Sequence, residues 1–276
     1  MTAMLANQMA DGRWQMADLG GISNLPSEIC HLPSGGTTHH APLTTRPRTA
    51  CSVVMPTLNE EKAIGTMIEQ IRMHAAAYET EIVVVDSSTD RTPDIARELG
   101  ARVIRQLKQG HGLALRRAIQ EASHDIIITT DCDNTYPLDY IPRLVNLIER
   151  QDYDIVSCNR LTARLGKEMP WLNKLGNKAF ALMVRMLYRI PVHDVTTGMF
   201  CLRKRVSQVI PWETNYAFPC ELIVRANLAG FRHKEIDIPY KIRIGEVTLN
   251  RWRSGKAYLR CIMKYRFNLG FHPSTL

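Results

Sequence analysis

The 276-residue sequence has no apolar run near the roughly 18 to 20 residues that a membrane-spanning helix needs. Its longest candidate, Ala179 to Leu187, is interrupted by Arg185, so no spanning helix is expected. Its seven cysteines form no C-x-x-C pair, and their odd number and wide spacing argue against a disulfide framework or a cysteine-based zinc site. No leader segment is evident, and this cysteine usage fits a reducing cytosol. The phosphate-loop pattern G-x-x-x-x-G-K-[ST] is absent, and Gly110-His111-Gly112 lacks the third glycine of a dinucleotide fingerprint. Acidic residues are missing altogether from Val247 to Leu276, and no internal repeat occurs.

What is present describes a folded, basic protein. Hydrophobic residues make up 45% and charged residues 22%, enough for one large core or two modest ones. A formal charge of +8 points to an anionic partner: nucleic acid, nucleotide, phosphorylated lipid or membrane surface. Residues 1–50, rich in Pro, Gly and Thr, read as a disordered extension without the continuous apolar or amphipathic stretch of a targeting segment. From Cys51 onward, β-branched runs (52–57, 81–86, 101–104, 125–131, 154–157) alternate with helical patterns (60–77, 92–99, 112–122, 138–150). Continuous apolar runs separated by helices predict an α/β fold, with a mostly parallel, Rossmann-like central sheet flanked by helices. The second half adds a helix near 172–188, an apolar run at 198–202, a helix near 221–229, a strand at 234–240 and a basic helix from Arg251 to Asn268.

In an open parallel sheet, ligands bind beyond the carboxyl ends of the strands. Three polar clusters fall there: Pro56 to Glu60, Asp86 to Asp90, and Asp131-Cys-Asp133-Asn-Thr135. Residues i and i+2 of an extended chain share a side, so Asp131 and Asp133 are expected to aim together into the crevice. Paired carboxylates repel one another unless a cation lies between them, and Mg2+, which shares its shell with phosphate oxygens, is the usual solution. An EF-hand reading fails, because Tyr136 holds the glycine position and Pro142 the terminal acid position. A second D-x-D, Asp152 to Asp154, precedes a strand and reads as a solvated turn. Asp86 suits acceptance of a base N–H or ribose hydroxyl, with a helix-capping role as the structural alternative.

The segments Ser52-Val-Val-Met-Pro-Thr-Leu-Asn-Glu-Glu61, Val83-Val-Val-Asp-Ser-Ser-Thr-Asp-Arg-Thr92, Gly110-His-Gly-Leu-Ala-Leu-Arg116 and Thr130-Asp-Cys-Asp-Asn-Thr-Tyr-Pro137 resemble the family 2 glycosyltransferases of GT-A fold. Within that family the chain is similar to the polyprenyl-phosphate (dolichol-phosphate-like) mannosyl- and glucosyltransferases. The resemblance covers roughly residues 51 to 265 and continues through Ser157 to Arg160, His193 to Met199, Pro219 to Leu222 and Arg243 to Leu249. It implies inverting transfer of a sugar from a nucleotide diphosphate donor. By the same resemblance Pro56, Leu58 and Glu60 line the nucleoside pocket, Asp86 contacts base or ribose, and Asp131 and Asp133 hold Mg2+ or Mn2+. Thr135 stands where the family often has Gln and is the third metal candidate, through its hydroxyl or a water. Arg160 and Arg243 match phosphate-facing arginines. Lys174 and Asn177 fall in the segment that meets the acceptor phosphate. The family's S-K-L reads Val247-Thr248-Leu249 here, so its lysine is missing, and Arg251 or Arg253 is the nearest replacement for that charge.

A lipid phosphate acceptor is already anionic and needs no general base, whereas a hydroxyl acceptor on a small molecule or glycan needs one. Asp194 and Glu221 are the candidates for that base. The implied partition is a 51–245 catalytic domain (51–160 nucleotide-binding, 161–245 acceptor side), followed by a basic amphipathic helix in 246–276. Six Lys and Arg in that tail flank Leu259, Ile262, Met263 and Phe267, which recur at helical spacing. This suits either a peripheral anchor on the cytoplasmic face of a membrane or a helix packed on the domain with a solvated rim. Nucleic acid is not expected as a partner, because no recognition motif accompanies the charge and the acid-lined edge repels phosphates.

Overall fold

The computed structural model describes residues 48–162, 169–244 and 251–267. The β-branched runs form strands β1 (Ala50–Thr57), β2 (Glu79–Asp86), β3 (Arg102–Arg105), β4 (Ile126–Thr129) and β5 (Ile155–Asn159). Between them lie helices α1 (Glu61–His74), α2 (Thr92–Glu98), α3 (His111–Glu121) and α4 (Ile141–Gln151). The second half contributes α5 (Trp171–Tyr188), β6 (Phe200–Arg203), α6 (Lys204–Val209), α7 (Phe218–Leu228), β7 (His233–Asp237) and α8 (Arg251–Phe267). Arg48 and Thr49 also belong to the folded domain, since Glu79 N–H donates to Thr49 O at 3.0 Å and Arg48 bonds Ala76 O. The remainder of the expected extension, residues 1–47, lies outside the described residues.

All seven strands form one sheet in the order β3-β2-β1-β4-β6-β5-β7. Four of the six pairings are parallel, as the βαβ pattern predicts. The exception is β6, which inserts between β4 and β5 and runs antiparallel to both, with Leu202 opposite Ile127 on one side and Ile155 on the other. A βαβ reading places β5 directly beside β4; instead the apolar Phe200-Cys-Leu segment returns from the second half of the chain to fill that slot. Period-two alternation then divides the core. Val54, Val83, Val85, Ile127, Phe200 and Leu202 face α3, α5, α7 and α8. Val53, Met55, Val84, Ile128 and Cys201 face α1 and α4.

α4 ends at Asp152, which takes the left-handed conformation (φ 56°) that Asp tolerates better than most residues. Asp154 is not the solvated turn expected of it. It is 4% exposed, accepts the Arg232 N–H at 2.9 Å and Arg205 Nε at 2.8 Å, and so anchors the amino edge of β5. The six described cysteines are buried and free, serving as core residues. α7 is buried on every side from Phe218 to Ala226, and its two charged residues, Glu221 and Arg225, pair with each other at 3.1 Å.

His233, at the start of β7, sits with Nε2 2.8 Å from Ser157 Oγ and Nδ1 3.2 Å from the Asn227 side-chain amide. Nδ1 accepts from that amide, so protonation sets two donors against each other. Burial lowers the imidazole pKa to about 4. The folded state therefore favours the neutral ring: its contribution is complete above about pH 6.5 and is lost as pH falls through the folded value. We expect stability to drop by about 3 kcal/mol from this group between pH 6.5 and 4. Urea unfolding of wild type and His233→Gln across that range checks it, the variant showing the shallower pH dependence.

Candidate active site

The carboxyl ends of β1, β2 and β4 meet in one crevice, and the loops following them brace one another. Asn59, in the left-handed conformation (φ 57°), donates its N–H to Ser88 Oγ at 2.7 Å and accepts the Thr89 N–H at 2.9 Å. Glu60 N–H donates to Thr92 Oγ1 at 2.9 Å. Asp90, not Asp86, is the local cap: its Oδ1 accepts the Thr92 N–H and hydroxyl at 3.0 and 2.6 Å. Asp86 is fully buried and accepts from Thr57 Oγ1 (2.7 Å), Ser88 Oγ (2.5 Å), Ser88 N (3.1 Å) and the half-exposed Arg105 guanidinium. Its four hydrogen-bond donors hold the two loops together, and Arg105 is the member of that group open to solvent. Pro56 is buried beside it and Leu58 half-buried.

β4 stops at Thr129, so Asp131 and Asp133 lie on the loop beyond it and not on the strand itself. Thr129 Oγ1 donates to Gly198 O at 2.7 Å and accepts the Phe200 N–H at 3.0 Å, which brings Gly198 beside the acid loop. A Cβ at Gly198 would lie 2.9 Å from Asp131 Oδ2, so only glycine leaves room for that carboxylate. On its other side, Asp131 Oδ1 is 2.8 Å from His111 Nε2. Asp133 is 2% exposed. Its Oδ1 accepts the Thr135 N–H and hydroxyl (3.0 and 2.5 Å), and its Oδ2 pairs with Arg243 at 2.6 Å. Thr135 thus spends its hydroxyl on supporting Asp133. Arg243 is delivered by a strand-like contact in which Lys241 and Ile244 N–H groups donate to Thr135 O and Asp133 O.

The electrostatics follow from this crowding. Burial works against ionisation of Asp131, but the charge of His111 with its hydrogen bond, then Arg160 and Arg243, outweigh it, so its pKa is lowered. Asp133 goes the other way: burial and then the charge of Asp131 raise its pKa despite Thr135 and Arg243. The imidazole of His111 is pushed up, its desolvation being overcome by the charge of Asp131. Glu60 belongs to the same field. Burial, then Asp133, against Arg243, together with Asp131 and Asp90, carry it up to about 7. The sequence placed Glu60 in the nucleoside pocket and did not reveal this coupling, nor the roles of His111, Arg105 and Tyr136.

Arg160 and Asp194 form a closed unit. The guanidinium contacts both carboxylate oxygens (Nε–Oδ2 2.8 Å, Nη2–Oδ1 3.1 Å) and also donates to Thr196 Oγ1 and the Tyr136 hydroxyl. It lies over the rings of Tyr136 and Tyr240 at 5.7 and 5.5 Å. Asp194 is fully buried. Burial opposes its ionisation, but Arg160 and the Thr196 donors hold its pKa below the ordinary range. Glu221 is equally enclosed, accepting from the N–H groups of Glu213 and Thr214, the Thr214 hydroxyl, Arg225 and Tyr265. It ties α7 and α8 to the 213–214 loop. Both side chains considered as general bases therefore have their oxygens committed.

Lys174 and Asn177, expected to meet the acceptor, lie half-buried on the first turns of α5. The residues Val247 to Leu249, with Thr248, lie outside the described residues, and the side chain of Arg251 is not described. α5 exposes Trp171 (75%), Leu175 (59%), Leu182 and Met186 (73%), which fall on one helical face. α8 does not bury the face drawn from the sequence. Ser254, Tyr258, Cys261 and Ile262 pack inward, Phe180 stacking on Tyr258 at 5.3 Å, while Leu259, Trp252 and Phe267 are exposed. No described helix is long and apolar enough to cross a membrane.

Two experiments check this geometry. In EDTA, Glu60→Gln is expected to melt higher than wild type at pH 8, the difference closing toward pH 4.5. The raised folded pKa makes the wild-type group cost stability as pH rises through about 7. Asp194→Ala, which leaves a buried guanidinium unpaired, is expected to lose about 3 to 5 kcal/mol in chemical denaturation.

Comparison with known proteins agrees with the fold. The model of the family described as Glycosyl transferase family 2 matches residues 52–210. A dolichyl-phosphate hexose transferase of Haloferax volcanii is 42% identical over 213 residues, covering 77% of this chain and 92% of that protein. The dolichol-phosphate mannosyltransferase of Pyrococcus furiosus is 29% identical over 202 residues, covering 70% of this chain and 56% of that longer protein. Among solved structures, mannosyl-3-phosphoglycerate synthase from Rubrobacter xylanophilus superimposes with a TM-score of 0.66 at 19% identity, covering 82% of this chain and 77% of that one. Glucosyl-3-phosphoglycerate synthase from Mycobacterium tuberculosis, solved with Mn2+, UDP and phosphoglyceric acid, gives 0.61 at 24% identity, covering 82% of this chain and 80% of that one.

Proposed function

The chain belongs to glycosyl transferase family 2, and from that premise we propose that it moves a hexose, with inversion, from a UDP- or GDP-sugar to a polyprenyl phosphate. The observation that carries the acceptor is the exposed face of α5. Trp171, Leu175, Leu182 and Met186 stand in water beside Lys174, Lys178 and Arg185, and α5 contains no acidic residue. Such a surface suits an apolar chain ending in phosphate. α8, packed on α5 and likewise free of acids, extends the basic apolar surface with Trp252, Leu259, Arg253, Lys256 and Arg260. A peripheral seat on an anionic membrane follows from the same composition. The Haloferax relative, by its name, acts on a dolichyl phosphate.

The donor fits the acid crevice. Asp131 and Asp133 offer hard oxygen ligands in a partly desolvated crevice where burial and their own charge carry Glu60 up to about 7, which suits Mg2+ or Mn2+ shared with a diphosphate. The Mycobacterium structure holds Mn2+ together with UDP. When bound, the ion offsets the negative charge that grows on the departing diphosphate. Thr135 supports Asp133. Arg243, now paired with Asp133, is placed to meet phosphate oxygens at the same rim, while Arg160 with Asp194 forms the wall behind it. Pro56, Leu58, Asp86 and Arg105 form the nucleoside end. Lys174 and Asn177 face the acceptor phosphate, with Thr248 and Arg251 on the segment that follows.

The second reading, transfer to a hydroxyl of a small molecule or glycan, needs a general base. Asp194 and Glu221 both have their oxygens engaged, which favours an acceptor that arrives as an anion. Assays with UDP- and GDP-sugars are expected to glycosylate polyprenyl phosphate in vesicles in preference to hydroxyl acceptors. Asp133→Asn should reduce transfer by about 100-fold or more. Trp171→Glu with Leu182→Glu should abolish transfer in vesicles and leave a short, water-soluble prenyl phosphate as substrate. Efficient use of a hydroxyl acceptor, with loss in Asp194→Asn at unchanged stability, would overturn the lipid reading.

A further inference from the structure

α3 begins with a side chain that leaves the helix to meet the acid pair, and the surrounding backbone is built to hold it there. Gly110 adopts φ 110°, a conformation closed to most residues, immediately before His111. Gly112 lies so close to the 215 backbone that a Cβ would fall 1.8 Å from Asn215 O. The Asn215 side chain completes the clamp, donating to Gln109 O at 2.5 Å and accepting the Leu113 N–H at 3.2 Å. The first turn of α3 is therefore pinned on both sides of His111, and the ring is delivered to Asp131 with Nε2 2.8 Å from Oδ1. A carboxylate only accepts, so Nε2 carries the hydrogen.

We propose that His111 is a positioning residue of the cation site: its Nε2–H locks the Asp131 carboxylate against Gly198, so that the remaining lone pairs of Asp131 face the crevice where the metal–diphosphate binds. This rests on the reading of Asp131 and Asp133 as metal ligands. Free rotation of Asp131 is blocked on one side by Gly198, where Oδ2 already occupies the room a Cβ would take, and on the other by the ring. Without the ring, one oxygen loses its fixed partner and the carboxylate must be ordered by the ion itself. His111 is half exposed, and its contact is with a side chain, so its removal leaves the core intact. A direct ligand role is not required of it, because the nitrogen that faces the site is the one bonded to Asp131.

The test uses the full chain and Mn2+ titrated in the presence of UDP and, separately, GDP, with free Mn2+ followed by its electron paramagnetic resonance signal. His111→Ala is expected to weaken Mn2+ binding by about 10-fold or more, as the loss of partners that orient metal ligands commonly does. His111→Gln, whose side-chain amide supplies an N–H donor, is expected to recover most of that loss, and both variants should melt close to wild type. Equal or tighter Mn2+ binding in His111→Ala overturns the assignment, as does a Gln variant as weak as the Ala variant. Wild-type protein that takes up no Mn2+ with either nucleotide overturns the metal reading itself, an outcome distinct from the other two.

Discussion

The structure is organised around the cost of holding several carboxylates at one sheet edge. Burial, and then the field that Asp131, Asp133 and Glu60 share, raises Asp133 and brings Glu60 to about 7. Two side chains answer that field directly: Arg243 on Asp133 and His111 on Asp131. Neighbouring charges in a partly desolvated crevice interact far more strongly than in bulk water.

The same requirement shapes the surrounding scaffold. Arg160 and Asp194 neutralise each other inside the wall, where the guanidinium lies over the Tyr136 ring and donates to the Tyr136 hydroxyl. Tyr136 OH also accepts the Gly198 N–H at 2.5 Å. Gly198 thereby links the buried ion pair to the wall of Asp131. Farther away, Glu221 collects five donors and secures α8 onto α7, so the basic C-terminal helix is held by one face while the other remains open. The exposed faces of α5 and α8 carry the large apolar side chains that the core does not use.

Much of this was legible in the order of residues. The β-branched runs of β1, β2 and β4 are local signals, and the acids that follow them must reach the carboxyl edge once the strands are parallel. The basic tail was equally plain, but periodicity shows only that Leu259 and Ile262 can share a side, not whether Tyr258 and Cys261 find Phe180 and α7 first. β6 was invisible as a central strand because four apolar residues are too few to distinguish a strand from a loop, and its place between β4 and β5 depends on pairing across 70 or more positions.

Sequence alone determined the order of elements, the acid-bearing loops and the family, because hydrophobic period and motif spacing act over a few residues. Tertiary structure decided which charged groups are free to act. Asp194 meets Arg160 across 34 positions, Glu221 meets Tyr265 across 44 and Asp154 meets Arg205 across 51. In each case a buried carboxylate is satisfied by a side chain far away in sequence, because an unpaired charge in the interior is too costly to keep. At the crevice, Glu60 and Asp131 stay partly open, and Asp133 lies in the field of both.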